Sequence, residues 1–255
     1  MAIVRYKSNV AVTSEDIFPK IKYLSIKCLM LEKEVWRCRG VDVVVIAIIG
    51  RKGGVGKTTI AANMAAEMVA VGRTVILLDT DPQQSLMAWA GLGSGVLSQI
   101  VEAVDTTHPE RCRAKVEASG KTANRVIIDT PPGFADPALL SALLADVVLL
   151  PVGPSPLDIM AARDALALAR EAQSQRGEGK PLIRFIPCKV MHTTLSRDLP
   201  DSLADLGEKV LPVIGQRVVV AEAALSGLTV QEYAPNSVAH EEFRALTRAI
   251  ERMLR

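Results

Sequence analysis

Between residues 43 and 71 an apolar run, a glycine-rich loop and a helical pattern follow one another directly. The run at 43–49 feeds Gly50-Arg51-Lys52-Gly53-Gly54-Val55-Gly56-Lys57-Thr58-Thr59, and the helical pattern opens near Lys57. A strand that ends in such a loop at a helix N-terminus is what phosphate binding requires. Backbone N–H groups wrap a phosphate only where side chains are absent, and the helix adds its positive end. In that frame Gly53, Gly54, Val55, Gly56 and Thr59 line the loop, Lys57 reaches the β/γ-phosphates and Thr58 offers its hydroxyl to Mg²⁺. The chain departs from the strict pattern in having Arg51 where a glycine is usual, and it carries a second lysine, Lys52, at the head of the glycine run.

The same rhythm continues downstream. Runs at 74–79, 125–129, 147–152 and 183–188 are short, rich in Val, Ile and Leu, and unalternating. Strands apolar on both faces imply a parallel sheet covered by helices on each side. Helical spacing at 57–71, 137–145 and 157–175 supplies those covers, so the expected fold class is α/β, a doubly wound, mostly parallel sheet with helices on both faces. Residues 173–181 read as a polar surface connector. Residues 1–40 break the rhythm: Ser14 has the character of an N-cap, and Ile17, Ile21, Leu24, Cys28, Leu31 and Val35 recur at helical spacing. The expected organisation is a helical N-terminal extension over 1–40 and one nucleotide-binding domain over 41–255.

Composition narrows the function classes. The 255 residues are 49% hydrophobic and 23% charged with a net charge of +2, which fits an ordinary globular protein and requires any basic patch to arise from local clustering. Cys28, Cys38, Cys112 and Cys188 show no metal-ligand spacing, and neither a signal-peptide core nor an apolar run of membrane-spanning length is present, so the expected location is cytoplasmic.

Two further motifs end strands in carboxylates. Leu78-Asp79-Thr80-Asp81-Pro82 places two aspartates at i, i+2, expected to point together toward the phosphates, with Asp81 holding a Mg²⁺-bound water. Val126-Ile127-Ile128-Asp129-Thr130-Pro131-Pro132-Gly133 ends in Asp129, in the form of a Walker B carboxylate that steadies Mg²⁺ through water, followed by a stiff turn. At 239–255, Phe243, Leu246, Ile250 and Leu254 line one helical face and Arg244, Arg248, Arg252 and Arg255 another. Such a helix either closes the core with its arginines in solvent, or faces DNA phosphates or anionic lipid.

Taken in order, KGGVGKTT, DTDPQQS, IIDTPPG and LLPVGPSPLD resemble the ParA/MinD family of deviant Walker ATPases over roughly residues 43–255, most closely the small ParA proteins that partition plasmids or chromosomes. The resemblance implies ATP and Mg²⁺ as cofactors and an ATP-bound homodimer. It implies that Lys52 crosses to the partner's nucleotide, that Lys57 serves in cis, that Asp81 positions the attacking water and that Asp158 faces the dimer interface. It implies slow, partner-stimulated hydrolysis, non-specific DNA binding, nucleoid association and a ParB-like centromere-binding adaptor. The alternative within the family is a MinD-like or cargo-positioning ATPase acting at a membrane or on a protein partner. Arg217 falls where partition ATPases place DNA-contacting arginines, although several relatives carry theirs two residues later, at the position of Val219. With Lys189 and Arg248 it makes up the candidate DNA-binding set.

Overall fold

The computed structural model describes residues 37–38, 41–105, 108–133, 135–177 and 179–254. The helix expected over residues 14–35 lies outside them. Strands β1 (Arg37–Cys38) and β2 (Val41–Asp42) pair antiparallel. The main sheet has eight strands: β3 (Val44–Ile48), β4 (Val75–Asp79), β5 (Val101–Ala103), β6 (Arg125–Asp129), β7 (Val147–Val152), β8 (Leu182–Val190), β9 (Lys209–Val210) and β10 (Ile214–Gly215). All of its pairings are parallel, in the order β10-β8-β7-β3-β6-β4-β5, with β9 also on β8.

The helices are α1 (Lys57–Ala70), α2 (Ser85–Gly91), α3 (Leu97–Ile100), α4 (Pro109–Thr122), α5 (Ala135–Leu144), α6 (Pro156–Arg176), α7 (Thr194–Arg197), α8 (Leu199–Ala204), α9 (Val218–Leu225), α10 (Val230–Tyr233) and α11 (Val238–Met253). The unalternating strands are buried on both faces. Ile46, Ile48, Leu77, Ile127 and Leu149 join the cluster formed with α1 and α11. Their neighbours Val45, Ala47, Leu78, Val126 and Val148 are equally buried and, by strand alternation, face the other way.

Topology places the site. From the centre at β3 the chain goes to β4 and β5 on one side, returns through β6, then crosses to β7 and β8 on the other. In this doubly wound order the ligand crevice lies beyond the carboxyl ends of the strands flanking β3. One register row there contains Ile48, Asp129 and Asp79 side by side. Three strand ends therefore meet at one level, directly before the glycine loop.

The C-terminal helix closes the core. Phe243, Leu246 and Ile250 are buried, and Glu251 takes hydrogen bonds from Arg125 and Arg73. Of the apolar face expected over residues 239–255, Phe243, Leu246 and Ile250 are packed into the domain itself and Leu254 is partly buried. No helix among the described residues is long and apolar enough to cross a membrane.

Candidate phosphate-binding site

The loop between β3 and α1 has the backbone its glycines predict. Gly54 and Gly56 lie at φ 73° and 104°, in the region where a Cβ is strained. Gly56 caps α1, with its carbonyl accepting from the Ile60 N–H at 2.8 Å. Val55 is buried and anchors the loop, while Gly53 and Gly54 are exposed.

Lys57 is 6% exposed, and its ammonium donates to the Lys52 carbonyl at 3.2 Å, so its side chain folds across the loop. Burial lowers its pKa, opposed by the charges of Asp129 and Asp81. The Thr58 hydroxyl donates to Asp129 Oδ2 at 2.7 Å. Asp129 is 1% exposed, and its pKa is pushed up to about 7, first by burial and further by Asp79 and Asp81, with Thr58 and Lys57 opposing. Its other oxygen, Oδ1, is buried without a hydrogen-bond partner. A buried carboxylate with one free oxygen beside a threonine hydroxyl is a donor set that suits a hydrated Mg²⁺. The backbone behind it is fixed by Thr80, whose hydroxyl donates to the Asp129 carbonyl at 2.6 Å, and by Thr130, whose hydroxyl donates to the Ile48 carbonyl at 2.8 Å.

The two aspartates at 79 and 81 both lie near enough to Asp129 to raise its pKa, but their hydrogen bonds differ. Asp79 is 1% exposed, and its oxygens accept from the Asp81 and Met87 N–H groups, both at 3.0 Å. It ties the end of β4 to the first turn of α2. Asp81 is partly exposed, close enough to Lys57 and Asp129 to influence their ionisation, and its Oδ1 accepts from the Gln83 N–H at 2.9 Å.

Lys52 points away from the loop's own cradle. Its ammonium donates to Asp158 Oδ1 at the start of α6. Asp158 completes a capping box with Ser155, whose side chain accepts from the Asp158 N–H at 3.1 Å. Burial opposes ionisation of Asp158, but Lys52 and Ser155 outweigh it and hold the carboxyl below its ordinary value. Gly153 makes room, since a Cβ there would lie 2.4 Å from Asp158 Oδ2.

Beside the start of α1, Gly56, Thr59, Cys188, Lys189, Ile214 and Arg217 help line a cavity of about 210 Å³. Lys189 has φ 55°, a left-handed backbone uncommon outside glycine. Arg217 binds Glu242 through its guanidinium at 2.6 Å, and Glu242 also accepts from the Gly215 N–H at 3.0 Å. Two of the three residues expected on a DNA-facing surface, Lys189 and Arg217, thus line this cavity, and the third, Arg248, is exposed on α11.

The family model described as the CobQ/CobB/MinD/ParA nucleotide binding domain matches residues 46–230. The chromosome-partitioning ATPase Soj of Thermus thermophilus is 32% identical over 239 residues, covering 80% of this chain and 94% of Soj. The maintenance of carboxysome distribution protein A of Gloeobacter kilaueensis is 41% identical over 117 residues, 45% of this chain and 51% of that protein. The solved septum site-determining protein MinD of Pyrococcus horikoshii, complexed with Mg-ADP, superposes with a TM-score of 0.68 at 20% identity, covering 83% of this chain and 97% of that one.

Proposed function

The chain belongs to the CobQ/CobB/MinD/ParA family of nucleotide-binding proteins, and from that premise we propose that it is a ParA-like partition ATPase, cytoplasmic and nucleoid-associated. In this reading it binds ATP with Mg²⁺, dimerises, holds DNA without sequence preference and hydrolyses ATP slowly to drive segregation of a plasmid or chromosome. A ParB-like adaptor stimulates it.

The observation that carries the reading is the division of labour between two lysines. Lys57 lies over the loop, whereas Lys52, at the loop's head, is held by Asp158. One protomer by itself therefore keeps one of its two loop lysines off its own loop. A switch whose chemistry is completed only on pairing has this form: Lys52 leaves Asp158 and reaches the partner's nucleotide.

Thr58 and Asp129 would hold Mg²⁺, Asp129 through water, and the ion would neutralise charge on the phosphates. The chain's residues position and stabilise rather than act as strong bases. Lys57 supplies charge at the loop, and Asp81, partly exposed near both Lys57 and Asp129, orients the attacking water. The cavity between Gly56 and Arg217 takes the base. A MinD-like membrane role is disfavoured by the burial of Phe243, Leu246 and Ile250. A protein cargo, as the name of the carboxysome-distribution relative suggests for that protein, stays a distinct outcome of the test.

The test is binding to arbitrary duplex DNA with ATP, ADP or no nucleotide, repeated with Lys52→Ala and at two salt concentrations. Binding that needs ATP, weakens with salt and is lost in Lys52→Ala is expected. Absence of DNA binding in every nucleotide state would overturn the partition reading and leave a nucleotide switch with a protein cargo.

A further inference from the structure

We infer that Arg244, Arg248 and Arg252, on the outer face of α11, form the surface that meets the phosphates of duplex DNA. The inference rests on the DNA-binding reading above and gives that contact a place.

All three are exposed. At four-residue spacing they stand about 6 Å apart along the helix, a comb of cations about 12 Å long. Duplex DNA presents one charge per ~1.7 Å of its axis, so a comb of that length spans several phosphates. Two of the three acids on the same helix are committed elsewhere, so only Glu241 is placed to offset it. Glu242 is committed to Arg217 and the Gly215 N–H, and Glu251 to Arg73 and Arg125. Glu241 is exposed one turn ahead of Arg244. Beneath the stripe Glu67 feels Arg244 and Arg248, but its Oε1 stands 2.8 Å from His240 Nε2.

Several arginines elsewhere are matched with acids, Arg51 with Asp164, Arg113 with Glu117 and Arg170 with Glu208, whereas exposed Arg163 and Arg197 stand singly and make no run. Like charges at i, i+4 destabilise a helix. The C-terminal dipole compensates only within the last turn, which accounts for Arg252 and not for Arg244 or Arg248. A solvated face with no partner has no need of such a run. The expected DNA contacts at Lys189 and Arg217 border the nucleotide cavity instead, and Arg217 is already paired.

Charge complementarity selects the partner. An amphipathic helix that lies on lipid needs its apolar face free, and here that face is inside the domain. A polyanion whose charges stand in solvent remains, and DNA is the one to which the stripe is matched.

The experiment uses the full chain with ATP and a duplex of arbitrary sequence, followed by fluorescence anisotropy between about 50 and 200 mM salt. ATP-dependent dimerisation is followed separately by sedimentation. Replacing Arg244, Arg248 and Arg252 together by Gln is expected to weaken DNA binding about 100-fold near 100 mM salt. The slope of log K against log salt should become shallower by about 3 per bound protomer, with dimerisation unchanged. Arg248→Gln alone should reduce the slope by about 1, and the control Arg163→Gln, exposed on α6, should change nothing. Wild-type affinity and slope in the triple variant would overturn the stripe while leaving partition standing. So would a triple variant that keeps DNA but loses anionic vesicles, which would assign the stripe to lipid headgroups. A wild-type chain that binds no DNA would instead overturn the partition reading itself.

Discussion

Lys52 and Asp158, 106 positions apart in the chain, are joined by an ion pair across the mouth of the glycine loop. The Lys52 side chain is 42% exposed and that of Asp158 11%, so the pair is screened on one side and is worth about 1 kcal/mol at most. That is small enough to exchange for a nucleotide phosphate. In the proposed cycle the pair must open before the dimer closes. Asp158→Asn removes the charge but keeps an acceptor for the Ser155 N–H. It should raise the ATP-dependent dimerisation constant up to about 30-fold, the equivalent of ~1 kcal/mol for each of the two pairs that open. Sedimentation velocity in ATP measures this directly, and an unchanged constant would remove the pair from the cycle.

The same pair makes an acid-side prediction. The Asp158 carboxyl titrates below its ordinary value of 3.8, so the native state releases its proton more readily than the unfolded chain. Stability from the pair is complete above that value and is lost as pH falls through the depressed one. Urea midpoints measured from pH 5 down to 2.5 should fall more steeply in the wild type than in Asp158→Asn. Parallel curves would mean that Lys52 contributes nothing to the folded monomer.

Asp79 and Asp81 should separate cleanly in mutagenesis. Asp81→Ala leaves the fold and nucleotide binding in place and, on the proposed reading, stops hydrolysis. Asp79→Ala strands two N–H groups, those of Asp81 and Met87. Leaving a buried donor unpaired costs about 1–3 kcal/mol, and both of these are partly buried, so Asp79→Ala should lower stability by roughly 2–4 kcal/mol, the lower part of the two-donor range. Thermal unfolding beside single-turnover hydrolysis distinguishes the two. Equal losses of stability would contradict the division of roles.

Much of this arrangement was legible from residues alone, and the misses have physical causes. Strands such as Arg125–Asp129 announce themselves because a parallel sheet buried on both faces leaves no polar positions to blur the run. The site motifs are local, so the loop, Thr58 and Asp129 could be read in order along the chain. Helix α4 was missed because only Cys112, Val116, Ser119 and Gly120 of its 14 residues are buried, which leaves almost no apolar periodicity. Alternation brings Asp79 and Asp81 toward Asp129 together, but it does not show that Asp79 is taken up by the Asp81 and Met87 N–H groups where β4 ends. The Ser155–Asp158 capping box went unread in Pro-Ser-Pro-Leu-Asp although its spacing is local. The ion pair of Asp158 with Lys52 is not local, because only tertiary structure brings the exit of β7 beside the loop. The pairing of Arg217 with Glu242 was hidden for a similar reason: the two are 25 residues apart on different elements.

Glu251 is the residue on which the docking of the C-terminal helix should turn. Its carboxylate is 9% exposed and receives Arg125 through Oε1 at 2.7 Å and Oε2 at 3.0 Å, with Arg73 bound to Oε2. Burial alone would raise its pKa, yet the two guanidinium groups hold it below the ordinary value. Arg125, itself 5% exposed at the start of β6, has no other acid bound to it among the described residues. Glu251→Ala therefore leaves a guanidinium uncompensated in the interior, and breaking a buried pair in this way costs about 3–5 kcal/mol. Against a typical stability of about 5–15 kcal/mol that is a large fraction. The double variant Arg125→Met/Glu251→Met removes both charges, so it should recover most of the loss. Urea unfolding of the single and double variants measures the difference. If the double variant were as unstable as Glu251→Ala, the cost would lie in packing around α11 rather than in a stranded charge.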